Sequence, residues 1–139
     1  MKKFKIIALM LVLVFSLQCV AFASESTIQP RGRYLLGGGC SITPYSGYVE
    51  VNGHTDAYEE VDELIVELTL FRVMTSGAWI EIWSNTYTGY DDIDYFTPAI
   101  NVNVEPGCMY AVEATHTVKH NGVTETNYSE AGPVSVFNY

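Results

Sequence analysis

The chain has 139 residues, 48% of them hydrophobic and 17% charged, with a formal net charge of −9. Its length suits one domain and its apolar share suffices for a core. The acidic balance excludes nucleic acid and anionic membrane surfaces as natural partners, and no stretch spells a cofactor fingerprint, so none is expected.

Lys2, Lys3 and Lys5 precede a twelve-residue apolar run from Ile6 to Leu17, and Ala21-Phe22-Ala23 supplies small residues before Ser24. This is the pattern of a secretory signal peptide over residues 1–23, whose helix is too short for a bilayer core needing about 20 residues. Gln18 before Cys19 departs from the small residue that lipoprotein processing requires. The expectation is a secreted, extracellular protein with no membrane attachment after cleavage. Loss of the segment removes three of the seven basic residues and leaves −12 on residues 24–139. So acidic a charge reads first as a solvated surface that keeps a small secreted domain soluble, a preference for cations or basic partners being the alternative. Cys40 and Cys108 remain. An oxidising compartment permits a disulfide between them, worth about 4 kcal/mol on loop-closure grounds; two buried thiols packing as small apolar groups are the alternative.

Residues 24–33 are polar, contain Pro30 and lack periodicity, which predicts a flexible leader ahead of a domain spanning 34–139. After Gly37-Gly38-Gly39, the run Cys40 to Thr43 predicts a short strand stopped by Pro44 and Gly47. Tyr48 to Asn52 alternates with Val49 and Val51 on one face, and predicts a second. His54 to Asp62 holds Asp56, Glu59, Glu60 and Asp62 with little apolar content, which predicts an acidic loop. Glu63 to Val73 places Leu64, Val66, Leu68 and Leu70 at spacing two, a long central strand.

Thr75-Ser76-Gly77 turns the chain into Ala78 to Asn85, where simple alternation puts Trp79, Glu81 and Trp83 on one face and Ile80 and Ile82 on the other. Thr86 to Phe96 reads as a long connection. Ile100, Val102 and Val104 share a face, Glu105-Pro106-Gly107 turns the chain, and Tyr110, Val112, Ala114, His116 and Val118 share the next. Asn121-Gly122 is a strong hairpin signal. Val123 to Tyr128 returns, Ser129 to Pro133 breaks or bulges the strand, and Val134 to Phe137 closes the domain. Some seven strands and no helical stretch after the signal predict an all-β, antiparallel two-sheet sandwich.

The run Val104-Glu105-Pro106-Gly107-Cys108-Met109-Tyr110-Ala111-Val112 resembles the apolar-x-Pro-Gly-x-x-Tyr-x-apolar segment of fibronectin type III domains, and Asn121-Gly122 with Tyr128-Ser129-Glu130 resembles their last hairpin. The resemblance implies an immunoglobulin-like sandwich with Tyr110 packed at a corner between strands. Across nearly the whole length after the signal, the chain is also similar to small secreted single-domain proteins of Gram-positive bacteria, an uncharacterised family. The likeness rests on Leu68-Thr69-Leu70-Phe71-Arg72, Trp79 and Trp83, the Pro-Gly-x-x-Tyr strand, and His116. It implies a secreted domain and transfers no catalytic residue.

Candidate chemistry is sparse. His116 and His120 on an extended strand are about 13 Å apart, too far for one zinc ion. There is no Gly-x-Ser-x-Gly elbow and no other reaction-specific constellation, so the chain is not expected to be an enzyme. Asp91, Asp92 and Asp94 are weak calcium candidates, because they lack the spaced pattern of a hand-type loop; a solvated acidic loop is the favoured reading. If Ile80 and Ile82 face the core, Trp79, Glu81 and Trp83 stand outward and, with Tyr87 and Tyr90, form an aromatic strip able to stack on sugars or anchor a partner. If the indoles turn inward, the strip vanishes. The expected function is therefore surface contact with an unknown extracellular protein, the alternative being a carbohydrate or cell-wall binding module that takes a glycan.

Overall fold

A computed structural model gives the structure of residues 32–138. The signal segment and most of the leader lie outside these described residues. Six strands make up the rest: β1 (Leu35–Tyr45), β2 (Tyr48–Val73), β3 (Trp79–Phe96), β4 (Ile100–Asn103), β5 (Met109–His120) and β6 (Val123–Ser135). The all-β, antiparallel character matches the sequence reading. All six strands, however, belong to one hydrogen-bonded sheet of order β1-β2-β5-β6, with β3 and β4 also paired to β2. Two separate sheets are not what forms.

The reason lies in β2, which has 26 residues. A straight strand of that length would run about 85 Å, far beyond a compact domain of about 100 residues, whose radius of gyration is about 13 Å. It must bend, and its sequence shows where. Val49, Val51, Thr55 and Ala57 are buried at odd positions, Tyr58, Glu59 and Glu60 are exposed, and burial resumes at Val61 before passing to Leu64, Val66, Leu68 and Leu70. The register with β3 slips over the same segment, between Asp56 and Val61. The predicted acidic loop is therefore the bend of a continuous strand, not a break in it. The predicted connection over Thr86–Phe96 is likewise strand, because β3 follows β2 around the bend.

Curling folds the two halves of β2 face to face. Val49 and Val51 pack with Val66, Leu68, Leu70, Tyr110, Val112 and Val136 in one core cluster. At Gly53 the layers come so close that a Cβ would sit 2.9 Å from Val66 Cγ1. Gly38, inside β1 rather than ahead of it, leaves room that any side chain would take from the His116 ring. The curl also brings β1 beside β6, and side chains span the seam. Glu125 of β6 accepts the backbone N–H groups of Arg33, Tyr34 and Leu35 at 2.6, 2.8 and 2.7 Å. Burial raises this carboxyl's pKa, but the three N–H groups and the Arg33 charge outweigh it and hold the pKa below its ordinary value.

The Tyr110 expectation is met. Its buried ring lies at the start of β5 and its hydroxyl donates to the Glu105 carbonyl at 2.8 Å, across Pro106-Gly107. This is the geometry of a tyrosine corner. Cys40 and Cys108 both pack against the core as free thiols, so the bridge is not formed.

Candidate functional site

Pairing of β2 with β3 joins the two acidic stretches of the sequence. Asp56 is registered opposite Asp94, and Val61 opposite Asp92. Glu59 and Glu60 on the β2 bend therefore lie alongside Asp91, Asp92 and Asp94, and all five side chains are exposed. Asp62 and Glu63 at the margin have basic neighbours, His120 at 3.3 Å and Lys119 at 2.9 Å. The five central carboxylates have no salt-bridge partner among the described residues. Exposed Tyr58, Tyr90, Ile93 and Phe96 are interleaved with them, Tyr90 at 65% and Phe96 at 63% exposure. The result is a ridge of unneutralised negative charge with apolar side chains set into it.

Asp91 itself has a positive φ of 52°, a backbone state that Asp tolerates, and Asp92 accepts the N–H of Ile93 at 2.8 Å. Among the described residues, no group of three or more His, Cys, Asp or Glu side chains is arranged to hold an ion. Asp91, Asp92 and Asp94 thus spread along a strand instead of converging as calcium ligands do.

The ridge continues into an open edge. β3 has β2 as its only strand partner among the described residues. Asn85 Oδ1 accepts the Thr86 N–H at 2.9 Å, which places that N–H on the side away from β2. Antiparallel alternation then turns the backbone groups of Ser84, Thr86 and Thr88 outward, and those of Asn85, Tyr87 and Gly89 toward β2.

The tryptophans part company. The ladder runs Leu70 to Trp83 but Phe71 to Glu81, so Ile82 bulges out of register. Trp83 and Tyr87 therefore pack against the core. Trp79 and Glu81 lie on the other face, where the Trp79 ring sits 5.6 Å from that of Phe71. Both indoles are half-buried, whereas Ile80 and Ile82 are 50% and 43% exposed. Trp79, Glu81, Trp83, Tyr87 and Tyr90 are not assembled on one surface. Alternation alone missed this, because an extra residue reverses every side chain beyond it.

His116, which shares a strand face with Tyr110, Val112 and Ala114, is fully buried. Thr55 Oγ1 donates to the Ile65 carbonyl at 3.1 Å and lies 3.1 Å from His116 Nδ1; Ser129 Oγ lies 2.7 Å from Nε2. A hydroxyl has one proton, so Nδ1 donates to Thr55, and Nε2 accepts from Ser129. Burial foremost, with the His54 charge second, lowers the His116 pKa to about 4. Cys40 Sγ donates to the Val112 carbonyl at 3.8 Å and lies 3.3 Å from Ser129 Oγ, whose one proton is already given to His116; burial pushes the pKa of this thiol up. A shallow groove of about 410 Å³ borders Ser129, Glu113, Tyr128 and Glu130, but the Ser129 hydroxyl is committed to His116. Every polar atom of this Ser–His pair is thus engaged inside the core. His54 stands 3.6 Å from Asp56, beyond hydrogen-bond reach, and stacks on Phe96.

No family model matches the chain, and no curated protein does. Among solved structures, it is similar to the solution structure of R. palustris CsgH, with 16% identity and a TM-score of 0.38 over 70% of this chain and 93% of that one. It is also similar to part of the Parabacteroides merdae β-glucuronidase, with 16% identity and a TM-score of 0.45 over 70% of this chain and 13% of the enzyme. Both likenesses are to a small β-rich domain and extend no further.

Proposed function

We propose that the chain is a secreted, non-enzymatic β-domain that acts by surface contact with an extracellular protein partner, and that the contact surface is the acidic ridge at the bend of β2 and β3. The observation that carries this reading is the juxtaposition of Glu59 and Glu60 with Asp91, Asp92 and Asp94, without basic neighbours among the described residues and beside exposed Tyr58, Tyr90 and Phe96. Like charges placed side by side cost stability, and large exposed aromatics are a common anchor at interfaces. Secretion rests on the signal pattern of residues 1–23. The complementary partner is basic, since opposite potentials steer encounter and fix orientation.

The test is interferometry with a cationic protein such as lysozyme on the sensor and an acidic albumin as control. Binding to the cationic surface that weakens with salt, and is lost when Asp91, Asp92 and Asp94 are all changed to Asn, is the expected result. Equal binding by the wild type and the triple variant refutes the ridge as the contact surface.

A further inference from the structure

Native sheets protect their free edges with short strands, lysines, prolines or a covering segment. β3 departs from this in several respects. It has 18 residues and, from Trp79 to Phe96, neither lysine nor proline. Between Trp79 and Tyr90 the only charge is Glu81, and Thr, Tyr, Ile and Trp dominate, a composition suited to further pairing. Its outward backbone groups at Ser84, Thr86 and Thr88 meet no strand among the described residues. One device guards them: the Asn85 carboxamide holds the Thr86 N–H and is itself braced, through Nδ2, on the Tyr87 hydroxyl at 3.1 Å.

We propose that the free edge of β3 accepts an extended, lysine- or arginine-bearing segment of another protein by β-strand addition, with Asn85 as the gate that yields its hydrogen bond to the incoming strand. This deepens, and rests on, the surface-contact reading above. Charge selects the occupant. A strand laid along Ser84 to Tyr90 runs on past Asp91, Asp92 and Asp94 and beside Glu59 and Glu60, all without a basic partner among the described residues. A second copy of this chain brings −12 of its own over residues 24–139 and no lysine on the pairing strand, so like charge opposes self-pairing. A basic segment gains main-chain hydrogen bonds from the edge and ion pairs from the ridge. Its alternate side chains would meet the exposed Ile80 and Ile82.

The probe is a synthetic alternating Lys–Val peptide of about 12 residues, long enough to run along some 40 Å of strand. Its control is the same peptide N-methylated at alternate residues, which keeps the charge and loses strand pairing. In the protein, Thr86→Pro removes an outward N–H and leaves the β2 ladder intact. Circular dichroism and thermal melting confirm that the variant is folded, and Ser84→Pro, at the equivalent outward position, replaces it if it is not. The expected result is that the plain peptide binds the wild type at least tenfold more tightly than the proline variant, that the methylated peptide binds both equally weakly, and that Asn85→Ala strengthens binding of the plain peptide severalfold. Equal binding of the two peptides to the wild type overturns strand addition while leaving charge-driven contact standing. Loss of all binding together with insensitivity to the Asp-to-Asn triple variant overturns both readings. Sedimentation showing a dimer that Thr86→Pro dissolves overturns the basic segment as occupant in favour of a second copy.

Discussion

The imidazole of His116 and the hydroxyl of Ser129 share a 2.7 Å hydrogen bond at the centre of the curled sheet, where His116 has no exposed surface. The ring is held neutral, with its pKa lowered to about 4, first by burial and then by His54. In the unfolded chain it titrates near 6.5. As pH falls through that value the unfolded state binds the proton first, so stability present above about 6.5 is lost down to about 4 and then levels off. The full difference is at most about 3 kcal/mol. Urea unfolding between pH 7 and 5, above the carboxylate range, is expected to show this loss, and His116→Leu to flatten the slope in the same window. A wild-type midpoint that stays constant there would show that His116 is not held neutral.

Tyr110→Phe removes only the hydroxyl that closes the corner onto the Glu105 carbonyl. The expected cost is about 1 kcal/mol, read as a lower urea midpoint with unchanged slope. A neutral substitution would mean that ring burial alone makes the corner.

The Ile82 bulge sets Trp83 into the core cluster and Trp79 against Phe71 on the opposite face. Trp83→Ala is expected to cost about 2 to 3 kcal/mol and Trp79→Ala about 1. Equal costs, or a glycan that protects both indoles from quenching together, would place them on one surface.

Much of the fold was legible because period-two burial is a local signal. Leu64 to Leu70, Tyr110 to Val118 and the Asn121-Gly122 turn all lie where alternation and turn chemistry put them. The strand through Tyr58-Glu59-Glu60 was not, because a bend exposes three consecutive residues and breaks the period that marks a strand. The faces of Trp79 and Trp83 were hidden by one extra residue opposite Leu70 and Phe71. Both acidic stretches were visible as composition. Their meeting depends on a register between residues more than 30 positions apart, which no local pattern encodes. His116 already alternated with Tyr110, Val112 and Ala114, and that alternation was itself the signal of its burial.

Asp56 and Asp94 are registered directly opposite one another. Like charges in that position destabilise a sheet, so Asp94→Asn is expected to raise the melting temperature by about 2 °C. A drop on neutralisation, seen by calorimetry at low salt, would show that Asp94 has a structural partner instead of serving the surface.

Hydrogen exchange along β3, followed by NMR with and without the alternating Lys–Val peptide, tests the central claim most directly. In the free protein the amides of Asn85, Tyr87 and Gly89, turned toward β2, are expected to exchange slowly, and those of Ser84 and Thr88 fast. On peptide addition Ser84, Thr86 and Thr88 should slow by roughly tenfold or more, because a new strand occupies them. Peptide binding that leaves these three amides unchanged would contradict strand addition at this edge.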